Sequence, residues 1–431
     1  MPDRPGLDQS GTRRRDPDAG PVPGLTPVGA VLILNLLIVV VALAIGGLLL
    51  WPRLANKPLW RATITPLASI IGSGFLVLGP ILETSYGYLA PVMMAALCLG
   101  AWLFGSAIRA NIRDINTEGH DRGVLAGQIE TASSWVLAFA YVISVAYYLN
   151  LLGAFSVSLT PFDDQLHARL VASAVMLIIL AVGWTKGFKA LERLEQVSVG
   201  IKLAIIAGLL VGLAVFNARH IGSGEMHVVA PQITGWPAIT LAFGLIVTIQ
   251  GFETSRYLRA EYDAATRIRS MRLAQIISTA IYVVYIALIA YVFTPSELPF
   301  SETAVVDMMR IVAPILPILL VGAALSAQFS AAVADTGGSG GLMVELSGGR
   351  IPLRLAYAIL VGAGFVLTWT SNIFEIIAYA SRAFALYYAL QAALAALAAW
   401  RTGAQPIKAA GFASLGLLGL AMTVFGTPVE G

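Results

Sequence analysis

Twelve stretches of this chain run with hardly a charged side chain, near residues 27–51, 60–83, 87–108, 133–158, 168–186, 193–217, 236–257, 273–294, 303–334, 353–370, 373–400 and 408–427. A helix needs roughly 20 apolar residues to cross the hydrocarbon core of a bilayer. Only structures that satisfy their own backbone survive there, and runs of this length favour helices over barrel strands. The expected fold class is therefore an all-α polytopic membrane protein of about twelve spans. Composition agrees: 58% of the 431 residues are hydrophobic and 12% charged, whereas a soluble surface takes roughly 25% charged residues. The net charge of +3 gives no basic field for a nucleic acid. The single cysteine, Cys98, excludes an internal disulfide framework, and His120, His167, His220 and His227 lack the spacing of a zinc motif. Gly337-Gly338-Ser339-Gly340-Gly341 fits the hydrolase Gly-x-Ser-x-Gly pattern. A nucleophile elbow needs a strand before it, so these glycines read instead as a flexible cytoplasmic hinge. No acid/base or metal constellation supports an enzyme, and no organic cofactor or metal is expected.

Orientation follows from the basic residues. Of the 27 lysines and arginines, nineteen fall in one alternating set of loops if Lys202 is counted with them, and only Arg169 and Arg219 in the opposite set. Arg310 and Arg382 lie inside spans, and four arginines stand in the N-terminal tail. The rich set is expected to face the cytoplasm of a multi-pass inner (plasma) membrane protein. Residues 1–26, rich in proline, glycine and aspartate, are expected to be a disordered tail, and 27–51 an extra, uncleaved membrane helix.

Two spans carry paired glycines at mid-depth. Ile70-Ile71-Gly72-Ser73-Gly74-Phe75 interrupts 60–83, and Phe243-Gly244-Leu245-Ile246-Val247-Thr248-Ile249-Gln250-Gly251-Phe252-Glu253 interrupts 236–257. Taken singly, such glycines serve close helix packing. As a pair in two halves of a chain they point to the substrate site of an inverted-repeat transporter.

At these residues the chain resembles the amino acid–polyamine–organocation permeases. Ile71-Gly72-Ser73-Gly74-Phe75 looks like that family's first-helix signature, and Gly251-Phe252-Glu253, with Glu261 and Arg267, Arg269 and Arg272 after it, like its sixth helix and following loop. Gly348-Gly349-Arg350-Ile351-Pro352 is similar to its loop after the eighth helix. The prolines usual after the sixth helix are replaced by Ala264-Ala265-Thr266 and Ser270-Met271-Arg272, and the extra N-terminal helix is similar to sodium–solute symporters. The resemblance implies two inverted five-helix repeats, 60–217 and 236–400, with peripheral helices at 27–51 and 408–427. It implies a small-molecule substrate, an amino acid or organic amine. The carboxylate would sit on the backbone amides of Gly72, Ser73 and Gly74, with Ile71 beside them. Main-chain carbonyls in 243–247, Phe243, Gly244 and Val247 among them, would take the ammonium, with Gln250 and Tyr141 lining the site; Tyr147 and Tyr148 are further candidates for its wall.

An ionisable residue in a membrane helix is a functional candidate. Lys202 either snorkels to the interface or, as the resemblance implies, fills the cation position between helices one, five and eight. The latter would mean proton coupling or uncoupled exchange. Ser326 and Ser330, one turn apart, form the competing sodium site with carbonyls near Ala68 and Ile71, or simply bond their own backbone. The resemblance implies a part for Glu253 in gating or proton sensing, the alternative being a structural carboxylate bonded to exposed backbone amides. Arg382 with Glu375 is a candidate for an extracellular gate or a private ion pair. A sodium-coupled solute or nucleobase symporter of the same fold and a ligand sensor or scaffold that transports nothing are the rival functions.

Overall fold

The computed structural model describes residues 27–72, 74–115, 123–185, 189–224, 226–293, 301–401 and 405–429, and every regular element among them is helical. In chain order these are α1 (Pro27–Leu50), α2 (Pro52–Ala55), α3 (Pro58–Ile70), α4 (Gly74–Tyr86), α5 (Ala90–Ile115), α6 (Gly123–Val157), α7 (Gln165–Thr185) and α8 (Lys189–Ser223). There follow α9 (Gly235–Gly244), α10 (Thr254–Tyr257), α11 (Ala264–Ile289), α12 (Ala304–Val312), α13 (Leu316–Leu346), α14 (Leu353–Thr370), α15 (Ile373–Arg401) and α16 (Pro406–Phe425). Ten helical stretches among the described residues are long and apolar enough to cross a membrane. The N-terminal tail 1–26, expected to be disordered, lies outside the described residues.

Two of the expected runs are not single helices. The run 60–83 is divided into α3 and α4, which part at Ile71 (φ −84°, ψ 37°). The run 236–257 ends its first half at Gly244, passes through a tight turn at Ile246–Ile249, extends at Gln250 (φ −74°, ψ 172°) and resumes as α10. Gly251 has φ +118°, a conformation that costs an L-residue heavily and glycine little.

A third run is corrected. The apolar stretch 303–334 contains a short amphipathic helix, α12, and the beginning of α13, which continues to Leu346. The glycines at 337–341, expected to form a hinge, are helical and inside α13. They make α13 narrow where neighbours press on it. A Cβ on Gly340 would stand 2.5 Å from the Tyr357 ring of α14, and one on Gly338 3.2 Å from the Tyr141 ring of α6. Small residues let membrane helices approach closely, and here the approach is sealed by Ser339 Oγ, which donates to the Ala138 carbonyl at 3.0 Å. Arg310, expected inside a span, lies on α12, exposed and 3.6 Å from Asp307.

The interior is built around α6, which is buried over most of its length and packs antiparallel to α13, with α15 alongside. α1 lies on α8, where Ile38 fits against Gly208 and Gly212. Its remaining surface is largely exposed apolar side chain, as a lipid-facing helix requires.

Candidate substrate and ion site

The two breaks meet. Gly74, the first residue of α4, lies so close to the second break that a Cβ there would sit 2.1 Å from the Thr248 carbonyl oxygen. Gly251 lies equally close to the end of α3, where a Cβ would stand 2.5 Å from Ser69 Cβ and 2.6 Å from the Ile70 nitrogen. Each break therefore uses a glycine to admit the backbone of the other. Tyr282 of α11 joins them: its hydroxyl lies 2.8 Å from the Ile70 carbonyl and 2.8 Å from the Thr248 carbonyl. Both carbonyls sit where the helical ladder is interrupted, and a buried acceptor without a donor is costly.

The first break holds Ile71, whose N–H donates to Leu67 O, and Gly72, whose N–H donates to Ser69 O at 3.1 Å. Ser73 lies outside the described residues. Beyond it α4 starts at Gly74, packed against the Thr248 backbone, with the partial positive charge that a helix start carries.

The second break is held by hydrogen bonds of its own. The Gly244 carbonyl accepts from Ser381 Oγ at 2.6 Å, the Leu245 carbonyl from Thr248 Oγ1 at 2.5 Å and the Val247 carbonyl from Gln250 N at 3.2 Å. Ser381 Oγ in turn accepts from Val247 N at 3.1 Å. Each of these carbonyls already has one donor within the protein, and a carbonyl oxygen keeps a second lone pair. Gly244 and the half-buried Phe243 face the C-terminal segment, since a Cβ on Gly244 would stand 1.9 Å from Thr427 O.

Gln250 is fully buried and donates through Nε2 to the Tyr148 hydroxyl at 2.6 Å. Its Oε1 has no partner among the described residues. Glu253, also fully buried, accepts from Gly251 N at 2.9 Å and from the Tyr388 hydroxyl at 3.0 Å through Oε2, while its Oε1 has no partner among the described residues. Tyr141 packs edge-on to Phe384 at 5.9 Å between ring centres. Tyr388 stacks on Phe252 at 5.1 Å. The second break, α6 and α15 thus bring buried polar groups together among aromatic rings.

Lys202 does not snorkel. It is 1% exposed, and its Nζ donates to the Ala68 carbonyl at 2.6 Å, one turn before Gly72. Ser326 hydrogen-bonds Ser198 of α8, and Ser330 donates to its own helix at Ala327 O, 3.0 Å away. Arg382 and Glu375 do not form a gate pair. The guanidinium donates from Nε and Nη2 to Gly426 O at 2.9 and 2.7 Å, which caps the end of α16. Glu375 and Asn372 exchange backbone and side-chain hydrogen bonds of 2.9 Å at the start of α15, the reciprocal arrangement of a capping box.

Several functional-looking residues were not singled out from the sequence. Asp335 is 1% exposed and hydrogen-bonds the Ser144 hydroxyl across the α6–α13 contact. Glu83 of α4 is 2% exposed. Arg256, counted among loop cations, is buried in an ion pair with Glu130.

Two broken helices meeting at the centre of a membrane bundle, beside a buried cation, define a membrane carrier. Comparison with known proteins agrees with that class. Residues 52–426 match the family described as APC superfamily transporter, and the chain belongs to that family. A protein of Aquifex aeolicus (strain VF5), described as an uncharacterized protein, is 40% identical over 353 residues, covering 80% of this chain and 85% of the relative. The matched region begins just after α1.

Proposed function

We propose that this transporter carries an amino acid or a related small organic amine by alternating access around the paired breaks, without sodium, coupled to protons or as an exchanger. The observation that carries the reading is the Lys202 ammonium on the Ala68 carbonyl at 2.6 Å. A fixed positive charge beside the first break repels a second cation, and a buried lysine is a group that can exchange a proton. The Ser326 and Ser330 hydroxyls, turned to Ser198 and to the helix backbone, support the same choice. The start of α4 offers a substrate carboxylate the dipole and amides of a helix N-terminus, while Gln250 Oε1 and Glu253 Oε1 are acceptors suited to an ammonium. The basic loops would face the cytoplasm of the cell membrane.

Uptake of labelled amino acids and amines into proteoliposomes tests this. Flux driven by a pH gradient and indifferent to sodium is expected, with the pH dependence lost in Lys202→Met. Absence of substrate-dependent flux for every amino acid, amine and nucleobase tried would overturn the reading. Sodium-dependent binding that Ser330→Ala abolishes and Lys202→Ala leaves intact would select a sodium symporter instead.

A further inference from the structure

Below the breaks, at the end of the bundle that carries the basic loops, one arginine joins four helices. Arg256 belongs to α10, the four-residue helix that follows the second break. Its Nη1 donates to Gln391 Oε1 of α15 at 2.5 Å, and its Nη2 is paired with Glu130 of α6. Its own carbonyl accepts from Arg267 Nη1 of α11 at 2.8 Å. Gln391 extends the network: Nε2 donates to Ser133 Oγ at 2.7 Å, and Oε1 also accepts from Asn111 Nδ2 of α5 at 2.9 Å. Arg256, Gln391, Ser133 and Asn111 are all buried.

We propose that Arg256, with Glu130 and Gln391, is the gate that closes the basic end of the bundle. Two features separate a gate from a permanent core network. The first is position. α10 is short, hangs from the glycine at 251, and begins one residue after Glu253, so movement at the break carries Arg256 with it. The second is the route by which the charges can be released. The Glu130 side chain is 25% exposed and the Arg256 side chain 4%, so one member of the pair already borders solvent. When α10 swings outward both charges enter water, and neither is stranded in a low-dielectric interior, the outcome that makes breaking a buried pair costly. The gate is tied to the site above it: Tyr388 donates to Glu253, and the Tyr257 and Tyr387 hydroxyls lie 3.3 Å apart. The inference rests on transport by this chain, not on which substrate it carries.

Accessibility tests the gate without any substrate. In the full-length protein with Cys98→Ser, single cysteines replace Leu137 or Leu149, both fully buried on α6. The first lies one turn above Ser133, the second about three turns further along α6, next to Tyr148, whose hydroxyl meets Gln250 of the second break. Each is exposed to a small water-soluble maleimide in detergent. Glu130→Gln is expected to raise the labelling rate at 137 by about tenfold, while the rate at 149 does not rise. Gln391→Ala, which leaves the ion pair in place, is expected to give a smaller rise at the same position. No rise at 137 from either variant would overturn the gate. An equal rise at both positions would overturn it too, because that is general loosening.

Discussion

Residues decide this protein's central geometry by what they lack as much as by what they carry. Gly74 and Gly251 have no Cβ, and the opposing backbones occupy the space, at 2.1 Å for Gly74 and 2.5 Å to Ser69 for Gly251. Gly74→Ala must therefore push backbone against backbone. It is expected to destabilise the bundle by about 1–3 kcal/mol, read as a lower unfolding temperature in detergent, and to weaken substrate binding. Tyr282→Phe tests the same junction without adding bulk. It leaves the Ile70 and Thr248 carbonyls without their hydroxyl donor, and a loss of about 1–3 kcal/mol is expected from the same measurement. The paired glycines were legible in the sequence because glycine in a membrane span is a local signal. Tyr282 was not: one tyrosine among fourteen looks the same whether it fills lipid-facing space or bridges two breaks. Asp335 escaped for a different reason. The glycines at 337–341 resemble a loop, so the apolar run ends at 334 and the buried carboxylate stands one residue outside it. Arg109, Arg256 and Arg267 were counted as loop charges, yet they are 3%, 6% and 3% exposed. Side-chain hydrogen bonds to Gln275 and Gln391 and to a main-chain carbonyl hold them, and those partners lie more than a hundred residues away or on another element, where local pattern is silent.

At the scale of elements, breaks and caps are what differ from a plain bundle. The second broken helix is held at its turn by Ser381 of α15 and at its side by the chain end, where Thr427 N donates to Thr240 O at 3.0 Å and Gly426 accepts from Arg382. Removing the residues from Gly426 onward is expected to leave Arg382 half-buried without its acceptor and to loosen α9. Faster proteolysis in the segment before α9, with helical content unchanged, would be its signature. α11 starts with a cap that titrates. The Asp263 carboxylate accepts from Thr266 N at 2.7 Å, and hydrogen bonding from the Thr266 hydroxyl, then from its backbone, holds the pKa below the ordinary value of 3.8. A carboxylate depressed on folding stabilises above its unfolded pKa and loses that contribution as pH falls through the folded one. Acid titration of the wild type is therefore expected to show a small loss of stability below about pH 4 that Asp263→Asn, which keeps an acceptor oxygen, lacks. Hydrophobic runs revealed an all-helical membrane bundle, because length and apolarity suffice for that; the twelve runs stand against ten long apolar helical stretches among the described residues. They did not reveal that α12 is separate from α13, since an amphipathic helix lying beside a span continues the same apolar run.

For the whole molecule, α1 poses the sharpest question. It precedes the region matched by the family, 52–426, and yet it packs on α8, the helix that carries Lys202. Ile38 is fully buried against Gly208 and Gly212, and Gly46 faces Ala204, two residues from Lys202, at 3.4 Å. In water, uncovering such a face would forfeit hydrophobic burial. In a bilayer it does not, because lipid tails are as apolar as the side chains they replace, and helix association rests on close packing alone. The small residues at 200, 208 and 212 make that packing close, and α1 carries no charged side chain of its own. Deleting residues 1–51 is therefore expected to leave a folded bundle that still transports, with its unfolding temperature lowered by only a few degrees. The Lys202–Ala68 hydrogen bond belongs to α8 and α3, so the pH dependence of flux should survive as well. If the truncated protein folds, by helical content and a cooperative melt, yet has lost flux, then α1 is a working part of the carrier and the transport unit is larger than the matched family region.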